Sequence, residues 1–411
     1  MPALPLGLAC VVAATRLAGH ETMLLDLLTQ AAPADPVKQA IHDFQPDAIG
    51  ISIRNIDDQK STAPRFLLEP VREIVATCRM LTTAPIILGG AGYSIFPISV
   101  LNFLGADYGI YGEGEHIFPQ LLKKLQEKSL PVLPGVVVRG DTMFTPPGYT
   151  EDLDSLPLPD NEIWTVPSFG QEESWMPVQT RRGCPMRCSY CSTASIEGLR
   201  MRKRSIATVI KWLGHWQAAG FSNFYFVDNT FNLPPVYAKD LCRAIIAMDR
   251  GNDFSWRAIV YPTRLDKELA RLMGQAGCKQ VALGFESGVD KILKVMGKGY
   301  TTKDVQRVAE NLRNNGIARL GFLLLGGPEE TKKTVVESLK FADSLGLEAM
   351  KITIGIRIYP NTKLAEQALE QGMINRDDDL LTPSFYLEPK LDGWLQETVE
   401  QWMKTRPHWM F

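Results

Sequence analysis

Seven cysteines occur in this chain of 411 residues, and three of them crowd into Cys184-Pro-Met-Arg-Cys188-Ser-Tyr-Cys191, four and three residues apart. Thiolates at that spacing converge on one inorganic centre only from a turn, because an extended strand would hold them too far apart. Structural zinc is the first rival, and it asks for four Cys or His ligands, usually as two separated pairs. The nearest downstream candidate is His215, some two dozen residues on. Three ligands without an evident fourth suit a [4Fe-4S] cluster with one iron open to a small molecule. A disulfide framework fails, since an odd cysteine count leaves no complete pairing. Cys10, Cys78, Cys242 and Cys278 fall in expected helices or beside apolar runs, where buried, unreactive thiols are expected.

With its flanks, Arg181-Arg182-Gly183 before and aromatic Tyr190 within, the motif resembles the CxxxCx(aromatic)C signature of the radical S-adenosylmethionine (SAM) superfamily. The resemblance implies that Cys184, Cys188 and Cys191 hold the cluster, and that the amino and carboxylate groups of SAM chelate the fourth iron. Reductive cleavage of SAM then yields a 5′-deoxyadenosyl radical.

The elements that must position this loop read as α/β. The length predicts two or three domains, and 44 basic against 46 acidic residues set no field toward nucleic acid or a membrane surface. The apolar start from Met1 to Leu28 lacks a basic leader and is interrupted by Arg16, His20 and Glu21, so neither a signal peptide nor a membrane span is expected and the location is taken as cytoplasmic.

From Leu4 to about Gln126, helical periodicity alternates with short apolar runs, the mark of a doubly wound parallel sheet. Helices are expected over Leu6 to Leu17, Leu67 to Met80 and Pro97 to Leu104, and strands over Met23 to Leu28, Ala48 to Ile53, Ile86 to Leu88 and Tyr108 to Tyr111. Ligands of such sheets lie beyond the carboxyl ends of the strands, here Ser52-Ile-Arg54-Asn55, Gly89-Gly90-Ala91-Gly92-Tyr93 and Gly112-Glu113-Gly-Glu115. Glycines at strand ends also serve any tight turn.

Residues 129–172 read as a hairpin, Gly135 to Arg139 turning at Gly140-Asp141, and a Pro-rich connector. Six strands follow, over Met176 to Thr180, Asn223 to Val227, Ser255 to Val260, Gln280 to Phe285, Arg319 to Leu325 and Met350 to Ile358. The aromatic-rich tail from Phe385 to Phe411 is expected to pack across these strands or into the core.

Pro5-Leu-Gly-Leu-Ala9, Ala18-Gly-His20-Glu21, Pro46-Asp-Ala-Ile-Gly-Ile-Ser52 and Gly112-Glu-Gly-Glu115 are similar to the cobalamin-binding domain that precedes many radical SAM domains. The whole therefore resembles the cobalamin-dependent (class B) radical SAM enzymes. That implies a Rossmann-like (flavodoxin-like) domain at 1–128 lacking its first strand, a linker at 129–172, a partial (β/α)6 TIM barrel at 173–365 and an extension at 366–411. It also implies cobalamin bound without a histidine ligand, since Leu4 stands where the D-x-H-x-x-G turn places His. Ser52, Arg54, Asn55, Gly89, Gly90, Ala91, Gly92, Tyr93, Gly112 and Glu113 would contact it, with Arg54 or Asn55 facing the lower side of cobalt. SAM would meet Tyr190, Asp228, Asn229, Arg257, Glu286, Ser287, Gly326, Gly327 and Pro328, with Tyr359 lining the pocket and Arg202 or Arg204 touching SAM or substrate.

The family's commonest chemistry is methylation of an unactivated carbon. One SAM methylates the corrinoid, a second yields the radical, and a low-potential donor of the flavodoxin or ferredoxin type supplies electrons. The substrate would be a small molecule or peptide. Radical rearrangement, cyclisation or carbon–carbon coupling is the alternative within the family, and a non-catalytic cobalamin and cluster sensor the alternative outside it. A tRNA methylthiotransferase fits less well, because only Cys10 and Cys78 are offered for a second cluster.

Overall fold

The computed structural model describes residues 4–27, 33–160, 163, 175–248 and 254–411. Leu28, where one strand was expected to end, and residues 164–172 of the expected linker lie outside them. The amino-terminal part runs α1 (Leu6–Leu17), α2 (Ala34–Phe44), β1 (Ile49–Ser52), α3 (Leu68–Leu81), β2 (Ile86–Gly89), α4 (Ala91–Ile95), α5 (Pro97–Leu104), β3 (Tyr108–Ile110), α6 (Gly114–Gln126) and β4 (Val136–Val138). β1, β2 and β3 are parallel neighbours, and β4 closes the edge antiparallel to β3.

Successive strand residues face opposite sides. Ile86 and Leu88 accordingly pack with Val75, Val100 and Leu101 of α3 and α5, while Ile87 packs with Leu121 of α6. Pro97 opens α5 and Gly105, at φ 66°, ends it, the expected asymmetry of a helix with Pro first and left-handed Gly last. Two expectations fail. Residues 23–27 form no strand; Met23 and Leu25 are exposed, and an apolar run with no neighbouring edge to pair makes no ladder. Gly135 to Arg139 is not half of a separate hairpin but supplies β4, because Val136 and Val137 are buried against the sheet.

The second part contains β5 (Met176–Val178), β6 (Arg181–Arg182), α7 (Thr193–Glu197), β7 (Arg202–Lys203), α8 (Ile206–Ala218), β8 (Asn223–Phe226), α9 (Pro235–Ala247), β9 (Ser255–Val260), α10 (Lys267–Gln275) and β10 (Cys278–Glu286). It continues with α11 (Asp290–Val295), α12 (Thr302–Arg313), β11 (Ala318–Leu325), α13 (Lys332–Ser344), β12 (Ala349–Ile354), β13 (Ile356–Arg357), α14 (Lys363–Glu370), β14 (Phe385–Tyr386), α15 (Trp394–Met403) and β15 (Trp409–Met410). Strands β5, β8, β9, β10, β11, β12 and β15 form one parallel sheet in that spatial order. Phe224, Phe226, Trp256 and Ala258 are buried in its main core. Tyr225 and Arg257, a register pair on the other face, are only half-buried.

The strand expected from Met350 to Ile358 breaks at Gly355, which has φ 72°, a conformation other residues adopt at a cost. The tail joins the core rather than capping it: Leu395, Val399 and Trp409 are buried in the main cluster, and Trp409 pairs with Met350 as a seventh strand. A second apolar cluster fuses the two parts, bringing Ile53, Ile56 and Phe96 together with Ile356, Ile358 and Tyr386. Inside it the Arg357 Nε lies 2.8 Å from Asp57 Oδ2, with both side chains buried. Among the described residues no helix is long and apolar enough to cross a membrane.

Candidate active site

The thiol loop leaves the β5 edge and is tied down from several sides. Gly183 has φ 85°, and a Cβ there would stand 2.1 Å from the Arg200 carbonyl oxygen, so only glycine lets the chain pass. Cys184 N–H donates to Gly198 O (3.0 Å), Ser189 N–H to Met296 O (2.9 Å), and Leu364 N–H to Ser189 O (2.9 Å). All three thiols are unpaired; Cys184 and Cys188 are half-buried and Cys191 is exposed. Burial pushes the Cys184 and Cys188 thiols up, and Cys184 feels the charge of both other thiolates. Among the described residues no three Cys, His, Asp or Glu side chains close tightly enough to hold a single metal ion. The remaining four cysteines are buried, as expected.

The strand-end residues divide into two groups. Brought together beside Cys188 are Tyr190, Glu286 and Lys298: the Lys298 ammonium donates to Tyr190 Oη (2.9 Å) and Glu286 Oε1 (3.2 Å). Glu286 sits at the end of β10 with φ 62°. Tyr359 accepts from Gln59 Nε2 (2.9 Å) and lies within electrostatic range of Cys191. Arg257 is stacked between Trp175 (4.5 Å) and Tyr225 (4.8 Å), and its buried Nε has no hydrogen-bond partner.

The second group is committed to the fold. Asp228 accepts from Thr180 N (2.7 Å), Thr180 Oγ1 (2.6 Å) and Arg181 N (3.1 Å) and pairs with the Arg181 guanidinium (3.3 Å), all buried. It anchors the strand that leads into the thiol loop instead of presenting a carboxylate to a SAM ammonium. Asn229 donates to Glu197 Oε2 (2.6 Å). Ser287 is fully buried and shares a hydrogen bond with Ser338 (3.1 Å). The N–H groups of Gly326 and Gly327 both donate to the buried Glu330 carboxylate; Pro328 is buried in the same turn. Arg202 binds Glu113, Thr150 O and Glu197 O, and Arg204 binds Leu153 O, so neither basic side chain points to a ligand.

Lys298, Glu197 and Glu330 were not foreseen. Glu197 accepts from Gly183 N (3.0 Å) as well as from Asn229, and burial raises its carboxyl above the usual range. The only sequence signal for these three was their nearness to glycines in tight turns.

The loops of the amino-terminal sheet are similarly divided. Ser52, the last residue of β1, and Arg54 and Asn55 beyond it are exposed, and Arg54 lies within electrostatic range of Tyr225 across the domain boundary. Gly89 is open, with nothing nearer than 3.9 Å to an added Cβ. Gly90 and Gly92 serve a different purpose: added Cβ atoms would stand 2.5 Å from Ile53 O and 3.0 Å from Arg54 O, so they and Ala91 let α4 seat against the loop after β1. Tyr93 is wholly buried with its hydroxyl unpartnered, pressed against the bare Gly109 of β3. Gly112, at φ 85°, donates to Ser94 Oγ (3.0 Å). Glu113 accepts from Thr150 N (2.8 Å) and Arg202 and lies 3.4 Å from Arg182. Tyr93 and Glu113 are thereby core and junction residues, withdrawn from any ligand. The outward loop of Ser52, Arg54 and Asn55 carries no imidazole.

Two family profiles match in sequence, the B12 binding domain over residues 2–122 and the Radical SAM superfamily over residues 178–342. An uncharacterized methyltransferase of Pyrococcus horikoshii is 27% identical, covering 90% of this chain and 79% of that protein. The tryptophan 2-C-methyltransferase of Streptomyces laurentii is 26% identical over 90% of this chain and 73% of its own. Among solved structures, the radical SAM methyltransferase TsrM from Kitasatospora setae with cobalamin and [4Fe-4S] cluster bound is 26% identical, with a TM-score of 0.79 over 90% of this chain and 76% of that one. The domain order agrees with these matches, and the chain belongs to the cobalamin-dependent radical SAM enzymes, a B12-binding domain followed by a radical SAM domain.

Proposed function

We propose that this enzyme methylates carbon on a small-molecule or peptide substrate held between its two domains. The observation that carries the reading is the meeting of both cofactor loops over the strand ends. Gln59, in the segment after β1, donates to Tyr359 (2.9 Å), Ser61 Oγ donates to Ile354 O, and Asp57 pairs with Arg357 (2.8 Å). Tyr359 in turn senses Cys191. A group bound on the outward loop of Ser52, Arg54 and Asn55 would therefore face the thiol loop.

When bound, the cluster supplies the electron that cleaves SAM and the corrinoid carries the methyl group. The protein holds these groups in line and excludes water. Cys184, Cys188 and Cys191 are the cluster ligands. Arg257, pinned between two aromatic faces with an unpartnered Nε, offers a carboxylate a planar fork. Hydrogen abstraction from an sp3 carbon needs no general base, and no imidazole stands among the strand-end groups. An electron donor of the flavodoxin or ferredoxin class completes the system.

Anaerobically reconstituted protein, reduced and given SAM with a deuterated methyl group, should yield labelled methyl with the extracted corrinoid and release 5′-deoxyadenosine. Deoxyadenosine without labelled corrinoid would instead favour radical rearrangement or coupling. Absence of both would leave the non-catalytic sensor.

A further inference from the structure

Lys298 lies in no motif that carries the reaction, yet it is among the most completely engaged polar side chains near the cluster loop. Its side chain is 5% exposed. Its ammonium donates to Tyr190 Oη (2.9 Å) and Glu286 Oε1 (3.2 Å) and lies 5.0 Å from the Tyr190 ring centroid. Its charge also acts on Cys188. An ammonium has three protons and no acceptor, and the tyrosine oxygen and the carboxylate take two of them.

The backbone fixes this arrangement. Lys298 N–H donates to Leu293 O (2.9 Å), and the preceding Met296 O accepts from Ser189 N–H (2.9 Å). Gly297, at φ 71°, presses so closely on the thiol loop that an added Cβ would stand 2.6 Å from Arg187 O and 3.6 Å from Cys188 Cα. The turn after α11 and the loop around Cys188 are therefore packed as one piece, and the ammonium is held on Tyr190 of that loop.

We propose that Lys298 is a positioning residue that sets the reduction potential of the cluster through the charge it holds against Tyr190, between Cys188 and Cys191. The inference rests on the assignment of Cys184, Cys188 and Cys191 as cluster ligands. Reduction adds a negative charge to the cluster, and a fixed positive charge in a low-dielectric pocket favours the reduced form. Glu286 offsets part of that field.

The test is an EPR-monitored redox titration of the anaerobically reconstituted full chain without SAM, comparing wild type with Lys298→Met, Lys298→Arg and Glu286→Gln. Lys298→Met should keep its iron and shift the midpoint to a more negative value, with Lys298→Arg lying between it and wild type. Glu286→Gln keeps the ammonium and removes its counter-charge, so its midpoint should move the opposite way. A Lys298→Met protein with full iron and an unchanged midpoint overturns the proposal. Should Lys298→Met take up no iron, Lys298→Gln is titrated in its place: a negative shift supports the proposal and an unchanged or positive one overturns it. Wild-type protein that binds no iron would defeat the ligand assignment itself, a result distinct from either.

Discussion

At the scale of single residues, Glu330 is a carboxylate held away from water. It is 2% exposed, accepts from two backbone N–H groups on Oε2, and leaves Oε1 without a partner. Burial raises its carboxyl from 4.5 to about 7, against the two N–H groups that pull it down. Between those values the unfolded chain has lost the proton and the folded chain retains it. Its favourable contribution is therefore full below about 4.5 and lost as pH rises through about 7, on the order of 3 kcal/mol over the window. Glu330→Gln keeps an acceptor for the glycines and removes the titration. Melting temperatures measured across that window should fall less steeply with rising pH in the variant than in wild type; parallel curves would contradict the assignment. Nothing in the sequence distinguished Glu330 from its neighbour Glu329, since the difference lies in how the Gly326-Gly327 turn folds back on one of them. The three cysteines were legible for the opposite reason, because their chemistry is written in spacing alone. Asp228, Tyr93 and Glu113 looked like ligand groups because polar or aromatic residues after strands often are, but their partners Arg181, Gly109 and Arg202 lie too far along the chain for spacing to reveal.

At the scale of elements, local pattern located most strands and helices. Leu6–Leu17, Pro97–Leu104 and Ser255–Val260 fall where periodicity and punctuation put them, because capping and alternation are local signals. The strand anticipated at Met23 to Leu28 and the role of the tail depended on neighbours that periodicity does not see. The tail shows the physical issue plainly. Trp409 is 6% exposed and pairs with Met350 on the edge of β12, and its ring belongs to the main core with Leu391, Leu395 and Val399. A two-residue strand contributes little by its ladder alone, so the indole should provide most of what holds it. Trp409→Ala should cost about 3 kcal/mol, the usual range for deleting a large buried aromatic. Urea denaturation of the full chain measures this, and a loss below about 1 kcal/mol would show that the tail is an ornament on the barrel edge rather than part of its core.

At the scale of the whole molecule, the two domains are joined through charge as well as apolar surface, and the charge sits one residue from the thiol loop. Arg182 pairs with Glu115 and lies 3.4 Å from Glu113, which also takes Arg202, and all four side chains are at most 8% exposed. Burial alone would raise the Glu115 carboxyl, yet the Arg182 guanidinium holds it below the usual range. Breaking one side of such a pair leaves a buried charge without its counterpart, roughly 3 kcal/mol, whereas removing both can be nearly neutral. Glu115→Gln and Arg182→Met should therefore each destabilise by about that much, and the double variant by clearly less than their sum. Arg182 leads through Gly183 directly into Cys184, so both single variants should also bind less iron per chain after reconstitution, with partial recovery in the double. Strict additivity in denaturation, together with unchanged iron, would mean that the B12-binding domain merely rests against the radical SAM domain. Coupling in both measurements would mean that the cobalamin domain helps to hold the cluster loop in place, which ties the geometry of the second cofactor to the docking of the first.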